Sequence, residues 1–399
     1  MRKLALDDLK VRGTRVLVRV DFNVPLQRDA AGRHSVSDGT RVLAALPTVN
    51  AIRRAGGKVI LMSHLGRPQG VPKPGLSLSP IAAYLADSLK APVAFVRATV
   101  GREAQEAVDA LPDGGVLLLE NTRFHPGEPK NDPGFASSLA ALGDVFVNDA
   151  FGTAHRAHAS NVGVASHLPQ AAAGYLLQRE LKYLGQVVRR PGRPFIALVG
   201  GAKVSDKIGV LSSLVTKADT VLVGGAMSYT FLKALGHKTG NSLVEDHWLQ
   251  EAEQMYRGAG GRLRLPLDHV ISAAADGSGG CGLSDGDIPP GQMGLDIGPR
   301  TMETYRQIIL DARTVVWNGP VGVFEIPAFA GGTCAVAQAM AEATRLGATT
   351  VVGGGDSVAA VTEAGLVDKV THVCTGGGAM LDFLEGKTLP GVAALSDKS

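Results

Sequence analysis

A short β-branched run that ends in three glycines and leads into a helix-like segment is the feature that most limits the fold. It reads Ala348-Thr-Thr-Val-Val-Gly-Gly-Gly-Asp-Ser-Val-Ala-Ala. The same order of strand, tight turn and helix recurs at Val373-Cys-Thr-Gly-Gly-Gly-Ala-Met, and related glycine turns follow Val199 and Val223. Alternating strands and helices predict a mostly parallel sheet with helices on both faces. The sequence therefore predicts an α/β fold.

This alternation continues along almost the whole chain, and it predicts a series of strands in each half. In the first half these are 16–20, 58–64, 92–96, 115–121 and 145–148; in the second they are 195–199, 220–223, 269–272 and 315–317. A chain of 399 residues is too long for one ordinary core. We predict an N-terminal domain over 1–169, a helix over 170–190 and a C-terminal domain over 191–387. The tail, about 388–399, is expected to return to the first domain.

Apolar residues at helical spacing between the two series indicate the connecting helix. Leu177, Leu181, Leu184 and Val188 share one face, and Pro191 follows the run. A helix of about 20 residues spans roughly 30 Å, which suits an interdomain connector. An ordinary helix packed on either sheet remains the alternative.

Composition excludes several classes of protein. A formal net charge of +3 gives no overall sign of nucleic-acid or membrane binding. The odd number of cysteines, 3, without a Cys-x-x-Cys pair, predicts reduced thiols in a cytoplasmic protein. The first residues lack a signal-peptide pattern, and no run is long enough to span a membrane. We expect a soluble cytoplasmic protein.

Polar side chains collect where the predicted strands of the first half end. In parallel sheets ligands bind beyond the carboxyl ends of the strands. A single arginine there is usually a solvated surface residue, but several at successive strand ends predict a site for a small anionic molecule, since guanidinium groups bind carboxylate and phosphate. The candidates are Asp21, Asn23, Arg41, His64, Arg67, Asn121, Arg123, Asp149, His155, Arg156 and His158.

The glycine turns of the second half predict an anion site built from backbone N–H groups and helix ends. Lys203 and Lys207 follow one such turn, and a helix that begins near Val204 would place both close to its positive end. Asp356 beside an anion suggests an intervening Mg²⁺. A plain turn with Asp356 as the helix N-cap, and two solvated lysines, remain the alternatives.

One glycine motif has the spacing of a dinucleotide-binding fingerprint but lacks the structural context that such a fingerprint requires. Gly277-Ser-Gly-Gly-Cys-Gly matches the spacing of a dinucleotide fingerprint, but the residues that follow it cannot open a helix. Glu303, at the spacing of the usual acidic partner, falls in a predicted helix over 301–310. The sequence also lacks a P-loop and the catalytic loop of protein kinases.

Long collinear motifs resemble the phosphoglycerate kinase family from about Leu17 to Leu395. The motifs are Asp21-Phe-Asn-Val-Pro, Asp38-Gly-Thr-Arg, Ser63-His-Leu-Gly-Arg-Pro, Glu120-Asn-Thr-Arg-Phe, Asn148-Asp-Ala-Phe-Gly-Thr-Ala-His-Arg, Gly200-Gly-Ala-Lys-Val-Ser-Asp-Lys, Trp317-Asn-Gly-Pro-Val-Gly-Val-Phe-Glu, Gly353-Gly-Gly-Asp and Thr375-Gly-Gly-Gly-Ala. The departures are mild: a slightly long hairpin loop over 28–37, Ser357 where Thr is also common, and Gln69 where Lys is frequent. None falls on a residue that is assigned a main role.

The resemblance implies two Rossmann-like domains joined by a long helix, with a cleft between them. It implies reversible transfer of a phosphoryl group from 1,3-bisphosphoglycerate to MgADP, which gives 3-phosphoglycerate and MgATP. The transfer would be in line and need no general base, the domains would close during it, and the protein would be a monomer. Hinges are expected near 169–174 and after Gly386.

The resemblance also implies a role for each matching residue. Phosphoglycerate would bind Asp21, Asn23, Arg41, His64, Arg67, Arg123 and Arg156. The nucleotide would bind Lys207, Gly224, Gly225, Leu295, Asn318, Glu325, Gly353, Gly354, Gly355, Asp356 and Ser357, with Asp356 as the Mg²⁺ ligand. The phosphoryl group in flight would be surrounded by Arg41, Lys203, Gly376, Gly377 and Gly378. A nicotinamide-dependent oxidoreductase and a non-catalytic anion-binding protein are the competing hypotheses.

Overall fold

A computed structural model describes residues 3–398 and divides the chain into two compact units. Unit 1 runs to Leu181 and resumes at Thr388, and unit 2 is Lys182–Lys387. Each unit is organised around its own parallel sheet, which confirms the α/β fold class.

The parallel sheet of unit 1 has the strand order β5-β6-β4-β1-β7-β8. Its strands, with the small antiparallel hairpin β2–β3, are β1 (Arg15–Arg19), β2 (Leu26–Arg28), β3 (His34–Val36), β4 (Lys58–Met62), β5 (Ala94–Phe95), β6 (Val116–Leu118), β7 (Val145–Asn148) and β8 (Ala171–Ala173). All neighbouring strands of the sheet pair in parallel register; Val16, for example, lies between Val59 and Val145. The carboxyl ends of these strands therefore face one edge, where the polar candidates lie.

Helices cover this sheet and bury its apolar side chains. They are α1 (Thr40–Arg54), α2 (Ser79–Leu89), α3 (Arg102–Asp109), α4 (Pro133–Ala140) and the short α5 (Val164–Ser166). The core packs strand residues such as Val18 and Leu61 against Val49 of α1 and Leu85 of α2. All four of these side chains are 0% exposed, so the strands and helices are held in a dry interior.

Helix α6 (Tyr175–Arg189) is shorter than the helix predicted over 170–190, because Ala171–Ala173 pair with β7 as an added strand. The buried Asp149 carboxylate accepts a 3.1 Å hydrogen bond from the Leu177 N–H in the first turn of α6. The chain passes from unit 1 to unit 2 within this helix, between Leu181 and Lys182.

Unit 2 has a parallel sheet of strand order β11-β10-β9-β15-β16-β17 and a separate antiparallel sheet, β13-β12-β14. The strands are β9 (Phe195–Val199), β10 (Thr220–Val223), β11 (Leu263–Arg264), β12 (Asp268–Ser272), β13 (Gly282–Asp285), β14 (Met293–Ile297), β15 (Thr314–Asn318), β16 (Thr349–Gly353) and β17 (His372–Val373). The strand predicted over 269–272 forms, but it pairs antiparallel with β13 and β14. Its assignment to the parallel sheet was wrong.

The helices of unit 2 follow the strands as the glycine-turn pattern predicts. They are α7 (Ile208–Lys217), α8 (Met227–Ala234), α9 (Leu249–Gly258), α10 (Pro299–Leu310), α11 (Gly331–Arg345), α12 (Gly355–Glu363) and α13 (Gly377–Glu385). Helix α7 begins at Ile208 rather than near Val204, so the predicted helix start was wrong. The glycine motif that begins at Gly277 leads into β13 rather than a helix, and Glu303 lies within α10, as expected.

The tail that resumes at Thr388 belongs to unit 1 and contains the short helix α14 (Pro390–Ala393). The Ser396 N–H donates to the Ala171 carbonyl oxygen of β8, and the Gly391 N–H donates to that of Ala154. Among residues 3–398 there is no helix long and apolar enough to cross a membrane.

Candidate active site

Polar side chains at the carboxyl ends of β1 and β4 form a hydrogen-bonded cluster in unit 1. The buried Asp21 carboxylate accepts a 3.2 Å hydrogen bond from Arg41 Nη1. The same nitrogen donates to the Asn23 carbonyl oxygen, and the Asn23 side-chain oxygen accepts from the Gly66 N–H at 2.8 Å. His64 Nδ1 lies 3.8 Å from Asp21 Oδ1. The structure thus brings together four of the predicted substrate residues.

Two fully buried charged residues, Arg19 and Glu128, are joined through Ser160 and support this cluster. Arg19, the last residue of β1, is 0% exposed, and its Nε donates to Ser160 Oγ at 2.8 Å. Glu128, also 0% exposed, accepts from Ser160 Oγ at 2.6 Å and from the Ser160 N–H at 2.9 Å. Burial lowers the pKa of Arg19, whereas the charges of Glu128 and Asp21 oppose that shift. Such buried charges persist only when they are paired and hydrogen-bonded.

Arg123 presents a donor that the protein leaves unsatisfied. Its Nη1 donates to the Gly66 carbonyl oxygen at 2.7 Å, but its buried Nη2 has no partner among residues 3–398. Burial, followed by the charges of Arg156 and Arg19, lowers the pKa of Arg123 to about 10. Since buried polar groups are rarely left unpaired, this nitrogen is suited to bind an anion.

The cluster as a whole carries an excess of positive charge. Burial is the main cause that lowers the pKa of His64 well below 6.5 and that of His158 to about 4, so both rings are neutral at pH 7. The remaining charges are those of the guanidinium groups of Arg19, Arg41, Arg123 and Arg156, against the carboxylates of Asp21 and Glu128. The site therefore favours a ligand with more than one negative charge.

Two other predicted arginines are less constrained. Arg156 is half-buried, and its Nε donates to His155 Nε2 at 3.1 Å. Its charge acts on both Arg123 and His64. Arg67 is exposed and follows Gly66, the residue whose carbonyl oxygen Arg123 holds. Arg67 is thus placed beside the cluster without being fixed in it.

In unit 2 the glycine turns pack backbone against backbone. A Cβ atom added at Gly200 would lie 2.1 Å from the Pro320 carbonyl oxygen, and one at Gly225 would lie 2.6 Å from that of Gly201. Gly225 also has a φ of +69°, which disfavours other residues. A Cβ atom added at Gly377 would lie 2.9 Å from Gly354 Cα. Side chains are therefore excluded where these turns meet, and the predicted anion-binding turns lie next to one another in pairs.

Asn318 and Lys207 join these turns at the end of β15. Lys207 Nζ donates to Asn318 Oδ1, and Asn318 Nδ2 is buried without a hydrogen-bond partner in the described part of the chain. Asn318 pairs in register with Gly353 at the end of β16. Burial lowers the pKa of Lys207 to about 8, although the charges of Asp206 and Asp356 oppose the shift. The partly dehydrated ammonium group would gain from contact with an anion.

Lys203 lies in a turn before α7 rather than at the helix end. It is exposed, and the turn is fixed by Glu245, whose carboxylate accepts from the Ser205 N–H at 3.0 Å and from Ser205 Oγ at 2.6 Å. Helix α7 starts at Ile208, directly after Lys207. The predicted helix start near Val204, which would place both lysines close to the positive end of the helix, is therefore wrong; Lys207 occupies the N-cap position and Lys203 lies four residues before it.

The loop after β15 brings the other predicted nucleotide residues together. The Gly225 N–H donates to the Val321 carbonyl oxygen at 3.0 Å, and the Val323 N–H donates to that of Leu295 at 2.8 Å. Gly224 packs against Val321, since a Cβ atom there would lie 2.5 Å from its side chain. Glu325, two residues after Val323, is exposed and accessible to a ligand. These contacts join the loop after β15 to Gly224, Gly225 and Leu295.

The residues at the start of α12 divide into a structural and an exposed group. Ser357 is 0% exposed, and its hydroxyl accepts a 2.6 Å hydrogen bond from the Gly319 N–H, which ties two turns together. Asp356 is exposed, and the N-cap of α12 is Gly354, without a side-chain cap hydrogen bond. The alternative that Asp356 caps this helix is therefore wrong, and its carboxylate is accessible to a ligand.

Three residues that support the site were not predicted from the sequence. Arg19 carried a usable signal, because a charge at the end of a strand whose other residues are largely apolar and buried requires a partner. Glu128 and Glu245 lie in irregular segments, and no sequence pattern marks the contacts that they make with distant serines.

Comparison with known proteins gives a consistent result. The family model described as phosphoglycerate kinase matches residues 6–387. The phosphoglycerate kinases of Chlorobium phaeovibrioides and Salinibacter ruber are each 54% identical to this chain, with 100% of both sequences covered. The solved structure of phosphoglycerate kinase from Coxiella burnetii is similar with a TM-score of 0.86 and 38% identity, and that from Pyrococcus horikoshii with 0.86 and 32%; each match covers 98% of both chains.

Proposed function

The chain belongs to the phosphoglycerate kinase family and is a phosphotransferase of glycolysis, and we propose how its two units divide the reaction. The reaction is reversible transfer of a phosphoryl group between 1,3-bisphosphoglycerate and ADP, which yields 3-phosphoglycerate and ATP. Unit 1 binds the phosphoglycerate, and unit 2 binds the nucleotide. The proposal keeps the domains predicted from the sequence, with phosphoglycerate bound by 1–169 and the nucleotide by 191–387.

The observation that carries the proposal is the excess of guanidinium groups at the strand ends of unit 1. A phosphate ester carries nearly two negative charges at pH 7, and phosphoglycerate adds a carboxylate. The unsatisfied Nη2 of Arg123 gains a partner when that anion binds. Arg41, Arg67 and Arg156 supply further donors, and Asp21 with Asn23 accepts from the substrate hydroxyl group.

The nucleotide proposal rests on the backbone-lined turns of unit 2. Phosphate groups approach Gly353, Gly354 and Gly355 at the start of α12, where the helix dipole and backbone N–H groups favour negative charge. Lys207 and Asn318 contact the polyphosphate. Nonpolar and ribose contacts come from the surface around Gly224, Gly225, Leu295 and Glu325. The Ser357 hydroxyl oxygen accepts from the Gly319 N–H, and its O–H proton can still be donated to a phosphate group.

Asp356 is the proposed Mg²⁺ ligand. Its carboxylate is exposed, caps no helix and lies close enough to act on the charge of Lys207. Mg²⁺ takes hard oxygen ligands and commonly uses one carboxylate together with phosphate oxygens, so the residue fits the ion. When bound, the ion would reduce the negative charge on the phosphate oxygens.

Catalysis by this chain then consists of positioning and charge stabilisation. In the direction that consumes ATP the acceptor is a carboxylate that is already ionised, so no general base is needed for in-line transfer. Lys203, together with the N–H groups of Gly376, Gly377 and Gly378, stabilises the transferring group from unit 2, and Arg41 does so from unit 1. We further propose that the units close when both substrates are bound, which excludes water from the acyl phosphate.

Titration calorimetry on the Asp356→Asn variant tests the metal assignment. We expect affinity for MgADP to fall about tenfold or more, because a charged ligand is lost, while affinity for metal-free ADP changes little. Asp368→Asn, in the same unit, is the matched control. Equal losses for MgADP and ADP would argue against Asp356 as the ligand. A coupled assay of ATP formation from 1,3-bisphosphoglycerate and MgADP measures the activity itself.

The last part of the proposal concerns the oligomeric state, the compartment and the partners of the protein. We propose a monomeric protein of the cytoplasm that acts on small molecules and not on nucleic acid or membranes. The cysteines are scattered and odd in number, which supports a reducing compartment; they are Cys281, Cys334 and Cys374.

A further inference from the structure

The buried contact between Arg19 and His64 determines which nitrogen of the His64 ring carries the proton. Arg19 Nη2 lies 3.1 Å from His64 Nδ1, and both side chains are buried. An arginine side chain has only hydrogen-bond donors. His64 Nδ1 can therefore take part in this contact only as an acceptor, without a proton of its own.

The His64 ring is also neutral, so its single N–H proton must lie on the other ring nitrogen, Nε2. Burial and then the positive charges of Arg19, Arg123 and Arg156 lower the pKa of His64 well below 6.5. Asp21 is the acidic group that faces the ring and would oppose the shift, with Oδ1 3.8 Å from Nδ1. The outcome at pH 7 is a neutral imidazole whose proton lies on Nε2.

We propose that Arg19 is a positioning residue that fixes His64 in the Nε2–H tautomer, so that His64 donates a hydrogen bond to an oxygen atom of phosphoglycerate. The inference rests on the proposed function for the identity of the ligand, but the tautomer itself does not. In the opposite tautomer Nδ1–H would turn its donor toward Asp21 and face Arg19 with a second donor. Arg19 thus keeps Asp21 available for the substrate hydroxyl group as well.

Ser160 and Glu128 hold Arg19 in the required orientation. Arg19 Nε donates to Ser160 Oγ at 2.8 Å, and Ser160 Oγ donates to Glu128 Oε1 at 2.6 Å. This chain of contacts leaves Nη2 as the nitrogen that faces the ring. The orientation is therefore set by buried groups of unit 1 and does not depend on a bound substrate.

The first experiment is nitrogen-15 NMR of the histidine side chains in the full, ligand-free chain at neutral pH. We expect Nδ1 of His64 to give the signal of an unprotonated ring nitrogen and Nε2 that of a protonated one. In the charge-balanced double variant Arg19→Gln/Glu128→Gln, the Nδ1–H tautomer should become populated. Arg102→Gln, which alters an exposed side chain of α3, should leave the spectrum unchanged. A protonated Nδ1 in the wild-type chain overturns the proposal, whatever the substrate is.

The second experiment places an amide donor at each ring position in turn. The amide nitrogen of glutamine in His64→Gln can replace Nε2–H, whereas that of asparagine in His64→Asn lies nearer to the position of Nδ1. We expect His64→Asn to raise the KM for 3-phosphoglycerate about tenfold or more, and His64→Gln to retain most of the affinity, with kcat less affected in both. Equal losses, or better binding by the asparagine variant, would overturn the donor role.

These two experiments separate the inference from the function on which it rests. If the NMR signals give the expected tautomer while neither His64 variant changes binding of 3-phosphoglycerate, the donor role of His64 toward this ligand fails and the tautomer assignment stands. If binding depends on His64 but the ring carries its proton on Nδ1, the role of Arg19 fails. Should the double variant not fold, the wild-type spectrum and the His64 pair still decide the matter.

Discussion

The two units build their candidate sites from different materials. Unit 1 uses buried, charged side chains held by hydrogen bonds: Ser160 joins Arg19 to Glu128, and Asp21 accepts from Arg41. Unit 2 uses turns in which backbone packs on backbone, and its charged candidates Lys203 and Asp356 are exposed. The first arrangement fixes charge and orientation before the ligand arrives. The arrangement in unit 2 provides a surface of backbone groups, and its exposed side chains can change conformation when the ligand binds. The contrast suits a small asymmetric acid in unit 1 and a phosphate chain with its metal in unit 2.

The largest effect is expected at Lys203, an exposed side chain of unit 2. Lys203→Ala should lower kcat and kcat/KM together by about 10²–10³-fold, because the lost charge acts mainly on the transferring group. Dissociation constants for ADP, measured by calorimetry, should change little. Lys233→Ala, an exposed lysine paired with Asp246, is the control. A rise in KM alone, with kcat retained, would assign Lys203 to ground-state binding instead.

Arg123 tests whether the pre-formed charges of unit 1 act on phosphoglycerate only. Arg123→Ala removes charge-assisted hydrogen bonds, so the dissociation constant for 3-phosphoglycerate should rise about 10- to 150-fold. ADP binding without phosphoglycerate should be unaffected. Calorimetric titration of each ligand separately measures both quantities, with Arg102→Ala as the control. A matching loss of ADP affinity would show that the sites of the two units are not independent.

A glycine substitution tests the backbone-built site of unit 2. Gly225→Ala should lower the free energy of unfolding by about 1–3 kcal/mol, because the added carbon meets the Gly201 carbonyl oxygen at 2.6 Å and because φ is +69°. Gly258→Ala in α9 meets nothing within 4 Å and should be neutral or stabilising. Denaturant unfolding of both variants gives the comparison. Equal stability of the two would mean that the close packing of these turns is unimportant.

The smallest effect is a pH dependence that unit 2 should have and unit 1 should lack. Burial lowers the pKa of Lys207 to about 8, so its charged form is lost as pH rises through that value. Since the charged form binds phosphate, ADP affinity should fall about tenfold between about pH 7 and pH 9. In Lys207→Arg, which stays charged, the dependence should disappear. An unchanged slope in that variant would assign the titration to another group.

Much of the fold could be predicted because the signals are local. The apolar runs that end at Val199 and Val223 are each followed directly by glycine, and the run of β7 ends in the polar Asn148. Each of these strands ends at its predicted residue. The misplaced element, β12, has a pattern that fits a strand in either kind of sheet. The hydrophobic pattern identifies a strand but does not identify its partner.

The site could be predicted less completely, for a related reason. Asp21, Asn23, Arg41 and His64 converge because they follow strands of one parallel sheet or open the helix beside them, which the pattern implies. The assignment of a binding role to Ser357, by contrast, could not anticipate that the Gly319 N–H lies 2.6 Å from its hydroxyl oxygen. That contact depends on the pairing of β15 with β16, which brings two loops together.

The sequence alone determined where strands, turns and helices alternate and which polar side chains follow the strands, because side-chain periodicity and glycine chemistry act over a few residues. Tertiary structure alone decided which charges are buried. The sequence does not show that the Arg19 charge is buried, because Ser160 and Glu128, which hold it, come from distant parts of the chain. Lys207 has a usual pKa until packing of the turns removes water from its ammonium group. Desolvation depends on the neighbours that folding brings from distant parts of the chain, and local sequence does not specify them.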